Sequence, residues 1–225
     1  DFNVAMGKNA LSSDTLGSFS TAIGINALEV QNFTTATQTY NTAVGALAGG
    51  AVTTGVENTI VGGLAGDAMT TGIRNVAIGK SALSEDTTGR LAVAIGKDAL
   101  ASQNFTTSTE NYNVAVGALT GKSVTTGVNN TIVGALAGDS LTDADNNVVL
   151  GRSALSSDTL GSTAVAIGYA ALLNQNFTTA TSNYNVAVGF QAGLAVTTGT
   201  LNTFVGGFAG DAMTTATGNT GIGGA

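Results

Sequence analysis

An all-β fold, a parallel β-solenoid, is what this sequence predicts, and three observations carry that reading. One five-residue phrase, Asn75-Val76-Ala77-Ile78-Gly79, returns along the chain, for example at Asn3–Gly7, Asn41–Gly45 and Asn219–Gly223. The glycine that ends it falls at Gly7, Gly24, Gly45, Gly62, Gly79, Gly96, Gly117, Gly134, Gly151, Gly168, Gly189, Gly206 and Gly223, so the spacings run 17, 21, 17, 17 and then repeat. Self-similarity at a short fixed period marks stacked units that bury apolar surface only against their neighbours. Finally, the run before each glycine alternates aliphatic, small, aliphatic and is rich in β-branched residues. That is the period of a strand, whereas a helix repeats every three to four residues and is weakened by glycine.

The elements follow in order. Each phrase is a short strand. After its glycine comes an Ala-Leu pair, as at Ala10-Leu11, Ala27-Leu28, Ala82-Leu83 and Ala154-Leu155, expected as a weaker second strand. A polar corner closes the coil, often Thr-Thr-Gly, as at 53–55, 70–72 and 125–127, where glycine is expected to supply a positive φ. The asparagine that opens the next phrase either helps the corner or forms a ladder with the asparagine of the adjacent coil. Two short strands and two corners use up 17 residues, so a flat, two-sided roll fits best. The 21-residue coil returns once per super-period of 72, which sets super-repeats at 1–72, 73–144 and 145–216, with a partial fourth at 217–225, in one continuous solenoid over 1–225. The chain starts and stops within the pattern and is expected to belong to something longer.

A coil this short encloses two or three aliphatic side chains, a thin core against the entropy of ordering the chain. The middle strand residue is expected to point out of the roll. Ala5, Ala22, Ala43, Ala77, Ala94, Ala115, Ala166 and Ala187 hold that place, with Ile60, Ile132 and Phe204 in the fourth coil of each block and Val149 a further exception. An apolar outer residue at nearly every coil predicts a covered face, and a cyclic homotrimer covers it with identical chains.

Composition narrows the function. Charged residues are 9% of the chain, the formal net charge is −7 and only 7 residues are Lys or Arg, so the basic stripe that nucleic-acid binding needs is missing. No run of apolar residues is long enough for a membrane-spanning helix. With neither His nor Cys, the usual general base and thiol nucleophile are lacking, and catalysis is not expected. Carboxylates such as Glu85-Asp86 and Asp98 read as solvated turn acids. Asp143-Ala144-Asp145-Asn146-Asn147 offers oxygen ligands for Ca²⁺ but occurs once, and Asp67, Asp139 and Asp211 recur alone, so no metal and no cofactor are expected. Thr-x-Thr pairs at Thr35–Thr37 and Thr179–Thr181 come once in four coils, too sparse for a flat ice-binding array.

Asn-Val-Ala-Ile-Gly followed by Lys-Ser-Ala-Leu, at Asn75–Leu83, resembles the head repeat of trimeric autotransporter adhesins of the YadA-like kind, and Thr53–Gly62 resembles repeats of viral and phage tail fibres. The resemblance covers essentially the whole chain. It implies a parallel left-handed trimeric β-roll that projects outward and binds a surface. The coil here is longer than in the adhesin heads, and the super-period with its insertion departs from the adhesin pattern.

The insertion in the long coil is the expected place for recognition. It repeats as Gln31-Asn32-Phe33, Gln103-Asn104-Phe105 and Gln175-Asn176-Phe177, followed by Tyr40, Tyr112 and Tyr184. Aromatic and amide side chains on a rigid rod suit sugars, and the alternative is that Phe and Tyr pack as a lid. Asn-Phe-Thr is also a glycosylation sequon. The sequence therefore points to the rod of a homotrimeric phage or viral tail fibre or surface adhesin, on a virion or bacterial surface. Its expected partners are itself and a host glycan or protein receptor, with no nucleic acid and no direct membrane insertion. A self-assembling extracellular filament is the alternative, and a glycan-active enzyme is the remote one.

Overall fold

The computed structural model describes residues 2–224 and contains no helix among them. It is a parallel β-solenoid whose strands recur at the spacing of the phrase. The chain divides into two compact units, residues 1–112 and 113–225. In the first lie β1 (Val4–Met6), β2 (Gly17–Ser18), β3 (Thr21–Ile23), β4 (Thr37–Gln38), β5 (Thr42–Val44), β6 (Thr59–Val61), β7 (Val76–Ile78) and β8 (Val93–Ile95). In the second lie β9 (Val114–Val116), β10 (Thr131–Val133), β11 (Val148–Leu150), β12 (Gly161–Ser162), β13 (Val165–Ile167), β14 (Thr181–Ser182), β15 (Val186–Val188), β16 (Thr203–Val205) and β17 (Thr220–Ile222).

The three-residue strands of each unit pair in parallel, each with its counterpart one coil on. Val76 is in register with Val93, and across the long coil Thr21 is in register with Thr42. The phrase-ending glycine is demanded twice over. Gly62 has φ 137°, and a Cβ there would sit 2.5 Å from the carbonyl oxygen of Gly79 in the next coil.

Two local expectations are corrected. The Ala-Leu pairs are not strands but turns, in which Leu83 and Leu100 adopt φ of 54° and 47°. A left-handed leucine costs ~1–2 kcal/mol, and complete burial of the side chain, contributing ~1.5–3 kcal/mol, offsets it. The Thr-Thr-Gly corner does not use a positive φ at its glycine either. Gly55 is needed because a Cβ would lie 2.4 Å from the Gly72 carbonyl oxygen. The left-handed corner residue is the one before the asparagine, such as Glu57, Arg74, Asn129 or Asn146.

The strand orientation is also corrected. Ala22, Ala43, Ala77, Ala94, Ala115, Ala166 and Ala187 point into the coil with no exposed surface, as do Ile60, Ile132 and Val149, and Phe204 is 1% exposed. Only Ala5, in β1, is exposed. The gap between strand and turn is so narrow that alanine fills it in most coils. Ile60, Ile132 and Phe204 fit because the facing turns carry glycine: a Cβ on Gly49 would come 2.9 Å from Ile60 Cδ1, and one on Gly210 2.4 Å from the Phe204 ring.

The core is filled by exchange between two turn positions. Four residues after the marker glycine the chain has Leu28, Leu83, Leu100, Leu155 or Leu172, all buried, and three residues further on a polar Gln or Asp. Where the first position is instead Gly49, Gly66, Gly121, Gly138 or Gly193, the second is Val52, Met69, Val124, Leu141 or Val196, also buried. One apolar side chain per coil is supplied from one position or the other, keeping packing close to that of other protein interiors.

Beside this core runs the expected asparagine ladder. Asn58 Nδ2 donates to the Gly72 carbonyl at 2.9 Å, and Asn58 Oδ1 accepts the Asn75 N–H at 2.9 Å. Asn75 repeats both bonds with the Gly89 carbonyl and the Ala92 N–H. Asn130, Asn147 and Asn202 do the same in the second unit.

Candidate binding ledge at the long coil

The ladder has gaps. Ser20, Ala92 and Ala164 replace asparagine at the start of each long coil, and the insertion fills the space they leave. Gln175 Oε1 accepts from Asn185 Nδ2 at 2.8 Å, and Gln175 Nε2 donates to Asp158 Oδ2 at 2.6 Å. Asp158 Oδ1 accepts the N–H groups of Gly161 and Phe177 at 3.0 and 2.9 Å. Gln103 donates to Asp86 in the same way at 2.7 Å, and Gln31 to Asp14 at 3.0 Å.

This internal relay reassigns several of the expected contact residues. Gln31, Gln103 and Gln175 have no exposed surface, and Phe33, Phe105 and Phe177 are 6% exposed, so these side chains belong to the interior and not to a receptor face. Asn32 and Asn104 are exposed and Asn176 is partly so; each accepts a threonine hydroxyl, from Thr15, Thr87 and Thr159. Tyr40, Tyr112 and Tyr184 are exposed at 53%, 51% and 57%. Asp86 is not a solvated turn acid: burial pushes its pKa above the usual carboxylate range, against the lowering effect of bonds from Gln103, Phe105, Gly89 and Thr88. Glu85 beside it is exposed.

Above the buried relay the insertion pairs with the preceding coil and forms a ledge. β2 pairs with β4, placing Ser18 opposite Gln38, and β12 pairs with β14, placing Ser162 opposite Ser182. Between them in sequence, Arg90 bridges Ile73 and Glu110 in parallel. A shallow cleft lies on the ledge in each case. The middle one encloses about 170 Å³, with Val56, Ile73 and Leu91 as apolar walls and Glu57, Arg74, Arg90 and Glu110 as charged ones.

The charges there are unequally satisfied. Arg74 Nε donates to Glu57 Oε2 at 2.7 Å, which raises the arginine pKa and lowers that of Glu57. Tyr112 donates its hydroxyl to Glu110 Oε2 at 2.6 Å, and that bond holds the phenol pKa above its usual range. Arg90 Nε is buried and has no acceptor. Sequence reasoning passed over this cluster because the charges looked scattered, although Glu57 and Arg74 stand 17 residues apart, one coil.

Corner aromatics also stack from coil to coil. Phe19 lies 5.3 Å from both Phe2 and Tyr40, and Tyr169 lies 5.2 Å from Phe190. Among the described residues no group of three His, Cys, Asp or Glu side chains could hold a metal ion. Asp143 instead accepts from Thr126 Oγ1 and Asp145 from the Val128 N–H, both at 2.7 Å. Asp67 and Asp139 each keep one buried carboxylate oxygen without a partner, and burial raises their pKa. No protein-family model, no curated protein and no solved structure matches this chain.

Proposed function

We propose that the chain is a rod segment of a homotrimeric viral or phage tail fibre or surface adhesin, a left-handed roll without enzymatic activity that spaces a binding tip from its base and adds weak glycan contacts along the way. One observation carries this reading: the outward face of the strands. With the middle residue turned inward, each strand shows the solvent its two flanking residues, Val76 and Ile78 or Val93 and Ile95 in the central coils, Val148 and Leu150 further on. Val148, Leu150 and Val205 are 42%, 47% and 38% exposed in a single chain. These outward rows hold only Val, Ile, Leu, Met and Thr, with no charge in any strand.

An apolar strip of this kind on each unit marks an association surface. Identical chains in register set equivalent rows against one another about a threefold axis and remove them from water at ~25 cal/mol per Å². The trimer contact thus moves from the alanines to their neighbours in the strand.

Light scattering in dilute solution tests it. Three chains of 22.0 kDa give about 66 kDa. Ile78→Lys places a charge in the outer row and leaves the coil interior alone, so the expected outcome is an unchanged β-sheet circular dichroism with the mass of one chain. A wild-type mass of one chain in dilute solution overturns the proposal.

A further inference from the structure

We infer that the cleft on the middle ledge binds a carboxylated sugar residue, with Arg90 as the group that receives the carboxylate. The ligand class rests on reading the chain as an attachment protein; the site itself rests on a comparison that the chain makes with itself.

The three super-repeats build the same ledge on the same frame. Asp86, Gln103 and Phe105 recur without change as Asp14, Gln31 and Phe33 and as Asp158, Gln175 and Phe177, and all three glutamines and phenylalanines are buried. The residues that line the cleft are not held constant. Where the middle copy has Arg90, the others have Ser18 and Ser162; where it has Glu110, they have Gln38 and Ser182. A cleft accompanies each copy, at Ser18–Gln38 and at Ser162–Ser182 as well. A serine at Arg90 therefore suffices for folding, so the arginine is not there for the fold. Constant support under a varied surface is how binding sites are carried on rigid scaffolds.

Arg90 also stands against the economy of the chain, in which only 7 residues are basic. Its Nε is withdrawn from water with no acceptor, a cost that serine in the sister copies avoids. Its neighbour Arg74 is already occupied by Glu57. Arg90 lines the cleft, and a planar guanidinium matches a carboxylate, which accepts two parallel N–H bonds. Ile73 and Leu91 supply an apolar wall for the C–H face of a pyranose, and Glu110 accepts from ligand hydroxyls. At about 170 Å³ the cleft is smaller than the ~300–1,000 Å³ of drug-sized sites, so it takes one sugar ring. Glu57 and Glu110 at the sides repel dense anions such as sulfated chains, leaving the single charge of a uronic acid as the match.

Saturation-transfer NMR titration of the wild-type protein with methyl glucuronide, its methyl ester and methyl glucoside decides the matter. The glucuronide is expected to bind at least about tenfold more tightly than either neutral probe. Arg90→Ser, which installs the residue of the sister copies and so keeps the fold, should erase that preference. Glu110→Gln should strengthen glucuronide binding by removing a like charge. Equal binding of all three probes, or a preference that survives Arg90→Ser, overturns the inference. A three-chain mass with no glucuronide preference removes the cleft and leaves the rod; a one-chain mass with the preference intact removes the rod and leaves the cleft.

Discussion

Truncating one rung of the asparagine ladder tests what holds coil to coil. Asn58 has no exposed surface. In Asn58→Ala its own N–H still reaches Asn41 Oδ1 at 3.0 Å, but the Gly72 carbonyl loses its donor and the Asn75 N–H its acceptor. Leaving a buried polar group without a partner costs ~1–3 kcal/mol, so two of them amount to ~2–6 kcal/mol. Nature's own alanine at this position, Ala164, is excused: the following Asn185 N–H is taken by Asn183 Oδ1 at 2.9 Å. No such substitute stands near Asn75. Urea unfolding should show the loss as a lower midpoint at constant slope, and hydrogen exchange should show the Asn75 amide opening faster. Thr34→Ala, on the exposed insertion, is the control and should stay within ~0.5 kcal/mol of wild type. A loss under ~1 kcal/mol with Asn75 protection unchanged would refute the ladder as a source of stability.

Other outcomes follow from the same geometry. Gly62→Ala should prevent folding or cost more than ~4 kcal/mol, because it combines φ 137° with a Cβ 2.5 Å from a carbonyl oxygen, whereas Gly218→Asn should be neutral in a melting experiment, with nothing within 4 Å and asparagine already at the equivalent corners 129 and 146. Phe105→Ala should destabilise by ~3–5 kcal/mol yet leave sugar binding by the folded fraction unchanged, since the ring is interior. Burial raises the pKa of Asp67, Asp86 and Asp139, so their contribution is greatest below the ordinary ~3.9 and is lost as pH rises through the raised folded values. The melting temperature near the ordinary carboxylate value, about pH 4, should therefore exceed that at pH 7, with exposed Glu57, lowered by Arg74, opposing only weakly; a fall in melting temperature from pH 7 to about pH 4 would contradict this.

The strand, its period and its register were legible because they depend on spacing, which a parallel stack repeats from coil to coil. Orientation was not. In Val76-Ala77-Ile78 both faces are apolar, so alternation alone does not say which is inside. The deciding signal lay elsewhere, in the exchange of Leu83 with Asp86 for Gly66 with Met69, which shows that the turn must fill the space opposite the strand's middle residue. The Ala-Leu turns were illegible for another reason: a leucine at positive φ is rare, and only full burial in a coil makes it tolerable. At the ledge, the repeated Gln and Phe drew attention by their constancy, and constancy proved to mark the buried frame. The residues that vary from copy to copy, Arg90 against Ser18 and Ser162, carry the chemistry.

That division explains why a thin solenoid keeps buried polar groups at all. An interior of alanines and one larger side chain per coil discriminates poorly between registers, since a slip of one coil sets nearly the same residues against each other. The ladder does not fail in the same way. Each asparagine both donates to a carbonyl and accepts the backbone N–H one coil on, and the gap at Ser20, Ala92 or Ala164 is filled from its own long coil, where a glutamine is held by the aspartate one coil earlier. A slipped chain would bury an aspartate opposite valine or methionine, with no glutamine to meet it. Half-satisfied buried networks cost more than apolar ones, so this relay penalises every slip shorter than a full super-repeat. The 72-residue period is in this sense a register lock, and it also sets where the ledges fall.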